Sequence, residues 1–434
     1  MLWIRRLLWL EPFYLLAWMP LILFPARLLP VVWQPAVVLA LFAFWLLRWL
    51  YWRLANGCWI VPLQTPLSLA MLLLLFWLPV NIWAAVDAVR AWEIAGYLLL
   101  GVTLFVALVS WPPMLRHPEW LAWPLLAFAS VLALVGPLIL TAESGVLPGT
   151  LIALQRVAAP FVSRLGETIN PNILAGAPVV LLPLAVALGL PRHRLASETR
   201  SAGRWPLQAA LWVVAGLMFG VILLTGSRGA VLAVVVSVPL VLCLRWPRLL
   251  WGIVLLGVLA GLWVWGRGDM GLLDRLSSGG AIGGLNERVE IWSRALYAIQ
   301  DFSFTGVGLG AFNRVIPLLY PYFLIAPSVD IPHAHNLVLQ VAVDLGMPEL
   351  IAWLAILISV MVQTAAVLRR GPSSLWALSA GVLGGLVAML VHGQLDATLW
   401  GTKLAFLPWL LFALAVLAEA HASAAATTEL SGGV

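Results

Sequence analysis

Apolar runs of about twenty residues, the length that carries a helix across a hydrocarbon core of about 30 Å, recur along almost the whole of this chain. They fall near 8–25, 30–47, 61–80, 94–111, 121–140, 172–190, 207–225, 229–244, 249–266, 336–368, 374–394 and 401–419. In lipid the backbone must satisfy its own hydrogen bonds, so only helices and closed barrels can span a bilayer. Barrel strands alternate in short segments, whereas these runs are unbroken. The pattern predicts an all-α polytopic membrane protein with about twelve transmembrane helices. A hydrophobic fraction of 63% with 10% charged residues excludes an ordinary soluble domain. Pro20, Pro62, Pro137, Pro183 and Pro239 are expected to kink or end helices, which packed bundles tolerate. The run 336–368 is long enough to tilt or to project beyond the bilayer.

Charge sets the expected orientation. Arg5 and Arg6 precede an apolar run with no small-residue cleavage site, so the N-terminus reads as a cytoplasmic anchor and not as a cleaved or twin-arginine signal. With that end inside, thirteen of the 24 basic residues fall in inner loops: Arg5, Arg6, Arg48, Arg53, Arg116, Arg192, Arg194, Arg200, Arg204, Arg245, Arg248, Arg369 and Arg370. Such a bias marks the cytoplasmic side and puts both termini there. The remaining basic residues lie mostly in two long outer loops, 141–171 and 267–335. The expected organisation is nine helices in 1–266, an outer loop bearing the catalytic elements at 267–335, three helices in 336–420, and a cytoplasmic tail at 421–434, disordered by composition. A net charge of +6 is scattered among loops instead of forming a basic domain, which argues against nucleic acid. Cys58 and Cys243, both near inner helix ends, form neither a disulfide framework nor a CxxC metal spacing.

The longest polar stretch, 266–336, breaks this apolar pattern and concentrates arginine, histidine and glycine in one outer loop. Polar groups from distant parts of the chain are expected on the same side: the NPN segment at 170–172, Ser227-Arg228-Gly229, Asn286-Glu287-Arg288, the run from His333 to Asn336, and Asp396. Arg228 sits between two apolar runs with almost no loop. It reads either as a snorkelling turn arginine or, better, as a phosphate ligand, since its planar fork matches phosphate oxygens and small neighbours leave room for an anion. Arg288 lies on an expected helix, NERVEIWSRALYAI; its alternatives are phosphate contact or an ion pair with Glu287 or Glu290, with Arg294 a weaker candidate. The TGVGLGAF run at 305–312 lacks a preceding strand and the dinucleotide spacing, and reads as a tight turn that brings backbone close to a ligand or to the membrane surface.

His333 and His335, at i and i+2, would not share a helix face, and the outer loop shows no HExxH or DxD, so no metal and no cofactor is expected. A neutral imidazole acting as general base, a hydrogen-bond donor to phosphate or sugar, or a structural histidine remain as readings. Asp396 either neutralises an arginine, orients a histidine, or serves as a local helix-end group near His392.

Taken together, Asn170 and Asn172 with 173–175, Ser227-Arg228-Gly229, Glu287-Arg288 with Ile291-Trp292, the stretch from Gly306 to Phe312, and His335-Asn336 with Gly346 resemble the O-antigen ligase family of bacterial membrane proteins, which includes polymerases and some protein O-oligosaccharyltransferases. A second glycine sometimes found three residues after Gly346 is Glu349 here. The resemblance implies a helical, GT-C-like glycosyltransferase in a Gram-negative inner membrane with its site facing the periplasm. It implies inverting transfer of polysaccharide from undecaprenyl pyrophosphate to a lipid A–core sugar, without metal. By the same resemblance His335, Arg288 and Arg228 are catalytic, and Asn170, Asn172, Ser227, His333, Asn336 and Asp396 contact substrate. The polymerase and protein transferase are alternatives within the family, and a lipid-linked glycan flippase is the alternative outside it. A flippase would place charges near the bilayer midplane and break its helices there.

Overall fold

The computed structural model describes residues 2–57, 65, 67–140, 149–165, 169–191, 205–267 and 285–431. Cys58, Arg192, Arg194, Arg200, Arg204 and most of GRGDMG lie outside them. The described residues form helices and turns without a strand; the one β-bridge, Leu140 with Ile169, is isolated. The membrane body is built from α1 (Glu11–Leu23), α2 (Val31–Asn56), α3 (Ser68–Ala84), α4 (Ala88–Val109), α5 (Pro118–Ile139), α7 (Pro171–Gly189), α8 (Trp205–Leu224), α9 (Arg228–Arg245) and α10 (Leu249–Arg267). The amphipathic α6 (Gly149–Leu165) lies between α5 and α7. After α10 come α11 (Leu285–Asp301), α12 (Phe312–Leu319), α13 (Leu337–Leu345), α14 (Met347–Arg370), α15 (Ser373–Gly393) and α16 (Leu407–Ser431). Among the described residues nine of these helices are long and apolar enough to cross a bilayer, and the shorter apolar helices α1, α3 and α10 fall on the other three expected runs.

Burial separates a centre from a periphery. Helix α7 is mostly buried, and α15 packs against α7, α9, α14 and α16. Small residues on α15 allow the approach: a Cβ on Gly385 would lie 2.5 Å from the Val180 carbonyl, and one on Gly384 would lie 2.7 Å from both Pro183 and Val241. Between membrane helices, where lipid supplies no hydrophobic drive, such close packing is the main attraction. By contrast α10 exposes Trp251, Leu256 and Leu262 around its circumference, the surface expected of a helix that faces lipid.

Two expectations need correcting. The run 336–368 is not one tilted or projecting helix: it breaks at Gly346 into α13 and α14. Gly346 has φ +81°, and a Cβ there would meet the Phe304 carbonyl oxygen at 2.5 Å, so only glycine fits the turn. The short α13 is buried and ends inside the protein, where Asn81 of α3 donates to the carbonyls of Leu345 at 2.8 Å and Thr305 at 2.9 Å. The expected disordered tail is also helical as far as Ser431, because its alanine-rich sequence has high helix propensity and continues an existing helix.

Candidate active site

Four chain segments build one cluster. The loop 331–336 carries His333 and His335; α11 carries Arg288; the start of α9 carries Arg228, with Ser227 as its N-cap; the loop after α15 carries Asp396. Asn336 ends the first loop as the N-cap of α13, its Oδ1 accepting from the backbone N–H of Val338 and of Leu339, both at 3.0 Å. Its Nδ2 donates to Gln394 Oε1 at 3.2 Å, tying the histidine loop to the Asp396 loop. Gln340 accepts from the Ala334 N–H at 2.7 Å and braces the same loop from the other side. Asn336 therefore acts on the site through the backbone it holds. Ser227 and Asn170 are likewise N-caps, Ser227 accepting from Ala230 N at 3.4 Å and Asn170 from Asn172 N at 2.9 Å.

His335 is the one non-glycine residue among those described with a positive φ, +48°. A histidine held in the left-handed region costs free energy that the surrounding contacts must offset, and such strain gathers at functional sites. The twist lets two histidines two residues apart approach the same carboxylate, with ring centroids 4.4 Å apart. Asp396 Oδ1 accepts from His333 Nε2 at 2.6 Å and lies 3.5 Å from His335 Nδ1, while Asp396 also accepts from the Ala397 N–H at 2.8 Å. Neither ring nitrogen of His335 has a hydrogen-bond partner among the described residues, although both are buried. An imidazole so placed keeps hydrogen-bonding capacity that the surrounding protein does not use.

Electrostatics divide these groups. Burial holds His335 below its ordinary pKa, reinforced by His333 and Arg288 and opposed by Asp396, so it is neutral near pH 7. Burial alone would raise the Asp396 carboxyl, but the attraction and hydrogen bond of His333, followed by the influence of the nearby His335, hold it well below the usual carboxylate range. The half-buried Arg288 is pushed down by desolvation, up by Asp396, and down again by Arg228, which places the two arginines within each other's field. The Arg288 guanidinium donates to the carbonyl oxygen of Leu395, which docks α11 against the Asp396 loop. The ion pair considered for Arg288 belongs instead to Arg294, which reaches Glu290 at 3.3 Å, while Glu290 accepts from the N–H groups of Phe323 and Leu324 at 2.6 and 2.9 Å.

On a helix the i, i+2 spacing would separate His333 from His335, but these residues lie in a loop, and one ligand atom each from His333, His335 and Asp396 falls within 4.8 Å of the others. Geometry alone would let these three hold an ion. The existing 2.6 Å hydrogen bond between His333 and Asp396 and the positive field of Arg288 beside them both oppose one.

The glycines of the run 305–312 pack closely against other parts of the protein. A Cβ on Gly310, at φ +68°, would meet Ile94 at 2.5 Å and the Arg90 side chain at 2.8 Å. Sequence reasoning did not find Gln394 and Gln340, whose only mark is their position beside the capped loop. It also did not find the cavity lined by Arg27, Arg90 and Lys403, for which basic residues in short loops expected on the outer side were the available signal.

The fold and this cluster define a multi-pass helical membrane protein with a histidine–carboxylate group and two arginines gathered at one end of its bundle. Residues 213–354 match the family model described as O-antigen ligase, and the match supports membership of this chain in the O-antigen ligase/polymerase superfamily. The matched segment contains Arg228, Arg288 and His335, while Asn170 and Asp396 lie outside it. The match supports a general transferase role, since members of that family are glycosyltransferase-like enzymes. No curated protein matches the chain.

Proposed function

We propose that this protein is an O-antigen ligase. It would transfer a preassembled polysaccharide from undecaprenyl pyrophosphate to a sugar of lipid A–core at the periplasmic face of a Gram-negative inner membrane. The observation that carries this reading is a buried His335 set 3.5 Å from Asp396 and within the field of Arg288, which in turn feels Arg228. In the reaction the acceptor hydroxyl gives its proton to His335 as its oxygen bonds to the anomeric carbon, and the bond from that carbon to the pyrophosphate oxygen breaks. Attack opposite the leaving group inverts the configuration. Arg228 and Arg288 stabilise the charge growing on the departing pyrophosphate; preorganised donors of this kind are worth about 3–4 kcal/mol each in other enzymes. His333 and Asp396 position the base and stabilise the imidazolium that forms.

The inner-loop arginines support an orientation with both termini in the cytoplasm and the histidine cluster outside. The test supplies the purified protein in nanodiscs with undecaprenyl-pyrophosphate-linked glycan and, separately, lipid A–core, a second donor molecule, or a protein acceptor. Extension of lipid A–core alone supports the ligase. Extension of the donor would make it a polymerase, and glycosylation of protein would make it a protein O-oligosaccharyltransferase. Movement of donor across a vesicle bilayer without transfer would make it a flippase.

A further inference from the structure

A cavity of about 720 Å³ opens at the same end of the bundle as the histidine cluster, yet none of His333, His335, Asp396, Arg228 or Arg288 lines it. The loop 394–406 serves both: it carries Asp396 near its start and contributes Gly401, Thr402 and Lys403 to the cavity. The basic lining is Arg27 from the short helix Pro25–Leu28, Arg90 from the first turn of α4, and Lys403. Among the described lining residues the carboxylate is Glu93, which pairs with Arg90 at 2.7 Å and accepts from the Tyr97 hydroxyl at 2.5 Å. Lys403 Nζ stands 4.4 Å over the ring of Phe24. The remaining wall is largely apolar, including Leu28, Leu132, Ile139 and Leu174.

The chain's charge distribution marks this cavity independently. Outside the inner loops and the two long outer loops, four basic residues remain: Arg27, Arg90, Arg228 and Lys403. Basic residues in short outer loops run against the positive-inside bias, and three of these four converge here. Three basic side chains converging beside an apolar wall suit an amphiphile with an anionic head. A phosphate monoester carries about −1.5 to −2 charges and accepts charge-assisted hydrogen bonds from arginine and lysine. The volume is within the usual range of sites that enclose a small molecule or part of a lipid.

We infer that this cavity holds the phosphate-bearing head of the acceptor lipid, with Arg27, Arg90 and Lys403 on the phosphate oxygens and the apolar wall against its acyl chains. The inference rests on the transfer proposed above, which requires a second lipid-anchored substrate on the same face as the donor. The donor pyrophosphate occupies the Arg228–Arg288 site, so the two anionic heads are held apart while their sugars meet at His335.

Lys403 is the only lysine in the chain, so amine acylation followed by mass spectrometry reports on this cavity, with the N-terminal amine as internal reference. The full chain in nanodiscs is acylated in the presence of bisphosphorylated lipid A, the same lipid enzymatically dephosphorylated, undecaprenyl pyrophosphate, or inorganic phosphate. Protection of Lys403 by bisphosphorylated lipid A, at concentrations at least about tenfold below those at which the other three protect, is the expected result; each charge-assisted contact to phosphate is worth about this factor. Equal protection by dephosphorylated lipid would overturn the phosphate assignment, and equal protection by inorganic phosphate would overturn the lipid assignment. Stronger protection by undecaprenyl pyrophosphate would give the cavity to the donor and overturn the inference. In transfer assays the double variant Arg27→Gln/Lys403→Gln should raise KM for the acceptor about tenfold or more, with kcat and the donor KM unchanged. If wild-type protein transfers to no lipid acceptor, the ligase reading fails, while the labelling result still decides what the cavity binds.

Discussion

Asp344 and Asp396 are two carboxylates buried almost completely near one end of the bundle, and their partners could hardly differ more. Asp344, on α13, accepts from the Trp400 indole N–H at 2.8 Å and from the Gly310 backbone N–H at 3.2 Å. It ties the glycine turn, the broken helix and the loop 394–406 into one scaffold, and its partners are donors that do not titrate in the physiological range. Asp396 faces two imidazoles, and its neighbours include Arg288. Identical burial of identical side chains thus supports framework in one place and proton chemistry in the other. The partner decides which: an indole or amide N–H fixes geometry, whereas an imidazole can gain and lose a proton.

The sharpest way to break this contrast is at the base. His335→Ala should lower transfer by about a thousandfold, within the range expected for losing general-base catalysis, with membrane insertion and thermal midpoint unchanged; His333→Ala should retain a measurable part. Full activity in the His335 variant would remove the chemistry from the Asp396 side. In the wild type, because only the neutral imidazole accepts a proton and burial depresses its pKa, kcat/KM should rise with pH through a midpoint below the ordinary value of 6.5. A midpoint above that value would exclude a buried His335 as the titrating base.

The arginines come next. Arg228→Lys and Arg288→Lys should each cost about tenfold to a hundredfold in kcat/KM, because lysine keeps the charge but loses the bidentate fork. Normal transfer in both would place pyrophosphate recognition elsewhere.

Exchanging the two carboxylates for their amides then compares the regions directly. Asp344→Asn should lower stability by about 1–3 kcal/mol, by leaving a buried donor poorly matched, with modest loss of turnover per folded molecule. Asp396→Asn should cut turnover sharply with a smaller change in thermal midpoint, since the amide oxygen can still accept from His333. Equal stability losses in the two variants would erase the distinction. The smallest expected effect is that of EDTA: since arginines can stabilise the leaving group and His333 already occupies Asp396, excess chelator should leave the rate unchanged. A loss restored by one specific ion would instead assign His333, His335 and Asp396 as its ligands.

Much of the site could be read from the chain because its parts are local. Ser227-Arg228-Gly229 opens a helix after a turn too short to hide an arginine, and His335-Asn336 precedes an apolar run with a capping residue between. Other readings failed where a local rule met a long-range constraint. The i, i+2 spacing of His333 and His335 separates them on a helix, yet the +48° φ of His335 in a loop brings both to Asp396. Gly346 looked like a glycine within one long span, and only the carbonyl of Phe304, 42 positions away, shows why the helix must break there.

By itself the sequence determined that this chain is an all-helical membrane protein, roughly where its helices run, and which polar residues stand apart from them. Those properties follow from hydrophobicity over about twenty consecutive residues and from the hydrogen-bonding demands of lipid, both local quantities. Tertiary structure alone decided which polar residues meet. It set His335 beside Asp396, gave Glu290 to Arg294 instead of Arg288, and drew Arg27, Arg90 and Lys403 around one cavity. Such meetings depend on helix rotation and on approach distances set by glycines such as Gly385, and no linear window of sequence contains them.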